Sequence, residues 1–296
     1  MNPLVSVPVV TYNSSKTILE CLESIKYQTY WNLELIISDD ASTDNTVQLC
    51  EDWLSENRFR FSRCLLIKGD YNVGISSNSN RAQAQCTGEW IKGLAGDDML
   101  FPDCIEKFVR YVSTNKDAVY IFGKIRCFGG NRKQRQYYEK KFNESFFSVP
   151  ADNQYDLLMR GQTPSAPTLF YNRKKSIELG VTNDERIPLM EDLPKWVNLY
   201  RKGVRFHFLN EYVVKYRLGG ISTTSRWNDW LGFRNLRLFW FHYVFSEMYE
   251  KDPRAAIESA VDYEVKLMLS LKRSRSYRIG EFLLKPIKKI LSNNRL

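Results

Sequence analysis

The sequence predicts an α/β fold: a mostly parallel central sheet with helices on both faces, followed by a C-terminal helical extension. Two observations carry that expectation. From Val5 to Lys124, short apolar runs of strand length alternate with segments whose apolar residues recur at helical spacing, the pattern of βαβ units. Three polar or acidic clusters, Thr11-Tyr12-Asn13, Asp39-Asp40 and Asp97-Asp98, each follow an apolar run directly. In sheets of this kind ligands bind at the carboxyl ends of the strands.

The elements read as follows. Val5–Val10 is the first strand, and Ser14–Gln28 a helix with Ile18, Leu22 and Ile25 on one face. Leu33–Ile37 is a strand and Thr43–Leu54 a helix, with Ser42 or Thr43 as its cap. Cys64–Ile67 and Trp90–Leu94 are strands flanking a short helix at Asn78–Gln85. Pro102 opens a helix to Tyr111, and Ala118–Lys124 is a fifth strand. Pro8 conflicts with a central strand, because proline has no N–H for the ladder, and it marks a bulge or an unpaired position. Residues 129–150 read as a loop. Tyr155–Arg160 and Leu193–Arg201 read as helices, the second stopped by Gly203. Thr168–Tyr171, Val204–Phe208 and Val213–Tyr216 read as short strands. Trp227–Tyr249 and Pro253–Leu271 read as two amphipathic helices. Two domains are expected, 1–225 and 226–296.

Charge is unevenly placed. Of the net +9, the segment from Lys272 to Leu296 carries +7, from eight basic residues and Glu281. A near-neutral body does not resemble a nucleic-acid binder, which spreads positive charge over its working surface. A basic segment with Ile279, Phe282, Leu283, Ile287, Ile290 and Leu291 suits an anionic membrane surface, though Pro286 argues against one unbroken helix there. The six cysteines contain no CxxC pair, which argues against a zinc site and, with no leader-like N-terminus, favours reduced thiols in the cytoplasm. The histidines, His207 and His242, lie in apolar and aromatic surroundings and read as packed. The late aromatics, among them Trp227, Trp230, Phe233, Phe239, Trp240, Phe241 and Tyr243, read first as core and second as a partly exposed face for a lipid-linked acceptor or the membrane surface.

Adjacent carboxylates at a strand end repel each other unless a cation neutralises them. Mg²⁺ or Mn²⁺ takes carboxylate oxygens and completes its shell with phosphate oxygens. Gly96-Asp97-Asp98 is therefore a candidate metal–diphosphate site, with a solvated acidic turn as the bland reading.

Six motifs follow one another along the chain. The first are Ser6-Val7-Pro8-Val9-Val10-Thr11-Tyr12-Asn13, then Asp39-Asp40-Ala41-Ser42-Thr43-Asp44, then Asn72-Val73-Gly74 with Asn80 and Gly88-Glu89-Trp90. Gly96-Asp97-Asp98, Glu191-Asp192 and Tyr216-Arg217 with Ser222 complete the set. Their order resembles that of the family 2 inverting glycosyltransferases of GT-A fold, over roughly residues 4–225. The resemblance implies a nucleotide pocket lined by Thr11, Tyr12 and Asn13, with Asn72, Gly74 and Asn80 beside it. Asp40 or Asp39 would bind the base, usually uracil, and Asp44 would order that turn. Asp97 would ligate Mn²⁺ or Mg²⁺, and Asp98 would support the metal or contact the donor sugar. Asp192 would be the general base, with Glu191 beside it.

Three departures stand out. Ala95 occupies the position of the first aspartate of the family's DxDD pattern, and Gly219 that of a common histidine, leaving Arg217 as the candidate contact there. The strand-one proline stands at 8, where the family usually carries it at the position of Val10. The implied activity is metal-dependent, inverting hexosyl transfer from a nucleotide-diphosphate sugar to a glycan acceptor. That acceptor is polyprenyl-diphosphate-linked in many relatives, as in bacterial O-antigen or capsule synthesis at the inner face of the membrane. A sugar nucleotidyltransferase is disfavoured, because residues 9–16 lack the glycines of a phosphate loop. A non-catalytic scaffold is disfavoured by the presence of both acidic pairs.

Overall fold

A computed structural model describes residues 2–143, 146–160, 162–187, 189–219 and 230–273. The chain forms two compact units, Met1–Gly220 and Ile221–Leu296.

The first unit is built on a nine-stranded sheet. Its N-terminal part is wholly parallel: β1 (Val5–Thr11) lies between β2 (Leu33–Asp39) and two short strands, β4 (Trp90–Ile91) and β5 (Leu94–Ala95), and β3 (Arg63–Lys68) pairs with the far side of β2. Val5, Val7 and Val9 of β1 and Leu33, Leu35 and Ile37 of β2 are fully buried, as strands flanked on both sides in a parallel sheet should be. The connections are α1 (Ile18–Lys26), α2 (Thr46–Asn57) and α3 (Ile75–Ala84), the last packing on β1 and β2. Antiparallel pairing enters with β6 (Met99–Leu100), which follows the Asp97-Asp98 turn and pairs with β9 (Phe206–Arg217). It also enters with β8 (Phe170–Asn172), placed between β4 and β7 (Tyr120–Phe128), while β7 and β9 run parallel. α4 (Cys104–Thr114) precedes β7, and α6 (Gln154–Met159), α7 (Arg173–Leu179) and α8 (Asp192–Arg201) complete the unit.

Pro8 sits where the β1 ladder lapses. Val5 and Ser6 pair with Trp90 and Ile91, and Val9 and Val10 with Leu94 and Ala95, but Lys92 and Gly93, opposite Val7 and Pro8, belong to no ladder with β1. The expected single strand 90–94 is thus two, because proline offers no N–H there. Lys92 is fully buried in the gap, and its ammonium donates to the Gly93 carbonyl at 2.7 Å and the Pro167 carbonyl at 2.6 Å.

Other expectations need correction. The segment 129–150, expected as a loop, contains helix α5 (Arg132–Asn143). Its sequence is too polar to show a long periodic stripe, and it docks through Tyr138 and Phe142, which pack against the core, together with hydrogen bonds. The Asn143 amide pairs with the Ile125 N–H and carbonyl, and Glu139 accepts the Cys127 N–H at 2.8 Å. The two short strands expected at 204–216 are one, with the polar Asn210-Glu211 inside it and an irregular register against Gly123 of β7. The second unit contains α9 (Trp230–Phe239), a π-helical stretch (Trp240–Phe245), α10 (Ser246–Lys251) and α11 (Pro253–Arg273). The expected helix to Tyr249 is thus present from Trp230 onward, with a π-helical stretch inside it. Phe239 and Tyr243 are buried, Trp240 stacks on Tyr263 at 4.7 Å and Phe241 is exposed. Trp227, Ser222 and the segment beyond Arg273 lie outside the described residues.

The Gly88-Glu89-Trp90 motif has a packing cause. Glu34, buried in β2, accepts hydrogen bonds from Ser6 Oγ, from the Thr87 N–H and hydroxyl, and from the Gly88 N–H, and pairs with Arg63 at 3.3 Å. Burial raises the Glu34 carboxyl, but these donors outweigh it and hold it below its ordinary value. A Cβ on Gly88 would lie 2.6 Å from Ser6 Oγ, 2.7 Å from Ser6 N and 2.8 Å from Leu4 O. Gly88→Ala is therefore expected to cost about 3 kcal/mol, read as a lowered midpoint in denaturant unfolding. An unchanged midpoint would show that this close approach is not fixed.

Candidate active site

The carboxyl ends of β1 and β2 form the first half of the site. Asp39 ends β2, and its two carboxylate oxygens accept the Ser42 hydroxyl and the Ser42 N–H, the latter at 2.7 Å. Asp40 accepts the Gly74 N–H at 2.9 Å and the Val73 N–H at 3.2 Å, and Arg81 lies 3.5 Å away. Gly74 has φ +89° and opens α3, so the loop ending at Asn72 is tied to Asp40 by backbone donors. Asn13, at φ +50°, accepts the Thr43 N–H at 2.8 Å and binds the loop after β1 to the loop after β2. Tyr12 stands exposed beside it, whereas Thr11 is buried, its hydroxyl without a hydrogen-bond partner among the described residues. Asp44 orders the turn as expected of it, accepting from Thr46 and Ser15. Burial raises its carboxyl, but those hydrogen bonds win and hold it at about 2.

Not every expected residue joins this loop cluster. Asn72 is exposed, its amide oxygen accepting the Gly74 N–H. Asn80 points its amide at the backbone of Asn183, donating at 3.0 Å and accepting at 3.0 Å. Two residues that sequence reasoning passed over are central instead. Asn78 is buried between Ser38 and Thr11, and Arg81 donates to the Asp39 carbonyl, Ser38 Oγ and Asn78 Oδ1. Their spacing on α3 (i, i+3) was the available signal.

Asp97 and Asp98 occupy the turn between β5 and β6. Asp98 is 2% exposed and accepts the Arg217 N–H at 2.8 Å. The Arg217 guanidinium donates to the Asp97 carbonyl at 2.8 Å and to Glu20, over the Phe128 ring. Arg217 thus joins the acidic pair. Burial pushes Asp98 well above the usual carboxylate range, the Asp97 charge adds to this, and Lys92 and Arg217 only partly oppose it. Burial also raises Asp97. A pair held at this energetic cost suits a cation, and its donor set is all oxygen, as Mg²⁺ or Mn²⁺ prefers. Among the described residues no group of three or more His, Cys, Asp or Glu could hold a metal, so phosphate and water oxygens would have to complete the shell.

Glu191 and Asp192 open α8. Asp192 Oδ1 accepts the Leu193 N–H at 2.7 Å. Burial, then the Asp192 charge, push Glu191 up to about 7, and burial raises Asp192. Lys195, one turn on, is buried over the Tyr171 ring and donates to Gln83 Oε1 at 3.3 Å. Burial lowers it to about 8 against the pull of Glu191. All three line a cavity of about 130 Å³ whose walls include Val10, Leu94, Ala95 and Pro167. Ala95 immediately precedes Gly96-Asp97-Asp98, so the strand that delivers one acidic pair also walls the pocket of the other. Asn183 and Trp196 line the same cavity, and each has a buried side-chain N–H without an acceptor among the described residues. The two lysines of the region, Lys92 and Lys195, were not singled out in the sequence, where no pattern separates a buried lysine from a solvated one.

The family model for glycosyl transferase family 2 matches residues 6–178. The chain belongs to that family. As a family 2 enzyme it is a glycosyltransferase, and its fold is GT-A. It is 29% identical over 225 residues to the Escherichia coli UDP-Glc:α-D-GlcNAc-diphosphoundecaprenol β-1,3-glucosyltransferase WfaP, covering 75% of this chain and 80% of that one. The Pyrobaculum calidifontis mannosyltransferase PcManGT, solved with GDP-Man and Mn²⁺, superposes with a TM-score of 0.60 at 16% identity, over 95% of this chain and 83% of that one. Staphylococcus aureus TarS 1–349 in complex with UDP-GlcNAc gives a TM-score of 0.60 at 22% identity. That match covers 73% of this family 2 chain and 59% of the TarS chain.

Proposed function

We propose that this family 2 enzyme is a metal-dependent, inverting hexosyltransferase. Its donor is a nucleoside-diphosphate sugar, with UDP as the nucleotide, and its acceptor a hydroxyl of a polyprenyl-diphosphate-linked glycan in bacterial surface-polysaccharide synthesis. The carrying observation is the pocket bordered both by the strand leading to Asp97-Asp98 and by Glu191-Asp192. WfaP, whose name states a UDP-glucose donor and a diphosphoundecaprenol acceptor, supports the choice of donor and acceptor.

In this reading Thr11, Tyr12, Asn13 and the loop of Asp39 and Asp40 bind the nucleotide, with Asn72, Gly74 and Asn80 shaping the loop from α3. Asp97 and Asp98 hold Mn²⁺ or Mg²⁺, and Arg217 backs them. When bound, the metal neutralises negative charge on the leaving diphosphate. Asp192 takes the proton from the acceptor oxygen as that oxygen attacks the anomeric carbon opposite the departing diphosphate, which inverts the configuration. Glu191 tunes that base. The enzyme works at the cytoplasmic face of the membrane, with the segment 272–296 at the lipid surface.

The test offers purified enzyme a panel of UDP- and GDP-hexoses with Mn²⁺ and a lipid-diphosphate acceptor, and follows nucleoside diphosphate release. Release that needs both acceptor and metal, with a product of inverted anomeric configuration, is expected. Pyrophosphate release from a nucleoside triphosphate would replace this reading with a nucleotidyltransferase.

A further inference from the structure

The second unit carries an apolar face that its own packing does not use. α11 has 21 residues, about 31 Å at the usual helical rise. Four large apolar side chains on it are exposed: Ile257 at 54%, Val261 at 60%, Val265 at 43% and Met268 at 54%. Their offsets of four, eight and eleven residues place them within about 80° of one another around the axis. The same helix packs inward through other residues. Ala256 is fully buried, Tyr263 stacks on Trp240, and Glu264 pairs with Arg237 at 2.8 Å. The stripe is therefore surplus to the fold of its unit.

What covers it is constrained by the chain that follows. α11 ends at Arg273, within the run from Lys272 to Leu296 that carries eight basic residues and one acid, interleaved with Ile279, Phe282, Leu283, Ile287, Ile290 and Leu291. A partner for both features must offer an apolar layer and negative charge side by side. A second copy of this chain meets the first need and fails the second, since it would bring one +7 segment against another. An anionic lipid leaflet meets both. No described helix is long and apolar enough to cross a membrane, so contact through α11 means lying along the surface.

We propose that α11 docks flat on an anionic membrane through Ile257, Val261, Val265 and Met268, with the basic segment after it supplying the electrostatic hold. This deepens the membrane reading of the proposed function and rests on it for its biological sense. Its physical content is independent, because lipid binding requires neither donor nor acceptor.

The test is co-sedimentation of the full chain with vesicles of phosphatidylcholine, alone or with about 30 mol % phosphatidylglycerol, at about 0.1 M salt where charge screening is moderate. Strong binding to the anionic vesicles and little to the neutral ones is expected. The Val261→Glu, Val265→Glu double variant is expected to lose at least tenfold in partitioning. Both positions are exposed, so its thermal midpoint should match the parent. Lys288→Glu, Lys289→Glu should weaken binding and flatten its salt dependence. The transfer-dead Asp98→Asn variant should bind fully, which separates failure of the membrane surface from failure of the transferase reading. Equal binding of parent and stripe variant overturns the proposal. So does equal binding to neutral vesicles, or light scattering showing a dimer that the stripe variant dissolves.

Discussion

Asp98→Asn is expected to lower kcat/KM for sugar transfer on the order of 10³-fold, equivalent to about 4 kcal/mol of transition-state stabilisation, while raising the thermal midpoint of the ligand-free protein. The two effects share one cause. The Asp98 carboxyl is nearly inaccessible, next to the Asp97 charge, and its protonation is pushed well above the ordinary range by burial first and by Asp97 second. A carboxyl raised in the folded state binds protons there more readily than in the unfolded chain. Stability therefore falls as pH rises from about 3.8, the unperturbed value, through the raised one. At neutral pH its charge opposes folding, and asparagine removes that charge. The asparagine carbonyl can still accept the Arg217 N–H that Asp98 now takes at 2.8 Å, so the turn should keep its shape. Loss of the anionic donor should remove the binding of cation and diphosphate together. Calorimetry on the two proteins, with and without Mn²⁺ and UDP, measures both halves. If Asp97→Asn and Asp98→Asn each retained activity within tenfold of the parent, the metal–diphosphate assignment would be wrong.

The second large effect concerns the pair that opens α8. Asp192→Asn is expected to lower kcat on the order of 10³-fold with little change in donor affinity, since its carboxylate serves the acceptor proton. The pH profile should carry a distinctive signature. Burial and the Asp192 charge bring Glu191 to about 7, and burial brings Lys195 to about 8. Below pH 7 the pair holds an extra proton, and above pH 8 the cation that favours ionised Glu191 is lost. A narrow bell between these limits is expected, titrating as a property of the cluster and not of one group. Glu191→Gln removes the proton that binds near 7, so its acid limb should move to lower pH. Lys195→Met removes an attractive charge, so its acid limb should move to higher pH. Parallel, unshifted profiles for both variants would show that the pair is structural.

Much of this site was legible because parallel sheets place chemistry at strand ends. Val5–Thr11 and Leu33–Asp39 announce themselves as apolar runs, buried at every position but Val10, and the polar and acidic residues after them could only fall at one edge. Even Pro8 was readable as a lapse in pairing. What escaped was whatever depends on a partner distant in sequence. Helix α5 has only Tyr138 and Phe142 as an apolar stripe, and Asn143 and Glu139 add their hold on the backbone of β7. Arg81 and Asn78 join the loops after β1 and β2 only because α3 packs across those strands. Asn80, which looked like a ligand residue, spends its amide on the Asn183 backbone. The segment 129–190, undecodable in sequence, supplies Ala166, Pro167, Leu169, Tyr171 and Asn183 to the pocket wall.

The gap opposite Pro8 leaves one buried side chain joining two stretches far apart in sequence. Pro8 interrupts the ladder to β4 and β5, and the Lys92 ammonium beside that break donates to the carbonyls of Gly93 and Pro167. Gly93 and Pro167 both wall the pocket of Glu191 and Asp192. A single cation thus clamps two sides of that wall, and a change at residue 92 is a change to the pocket.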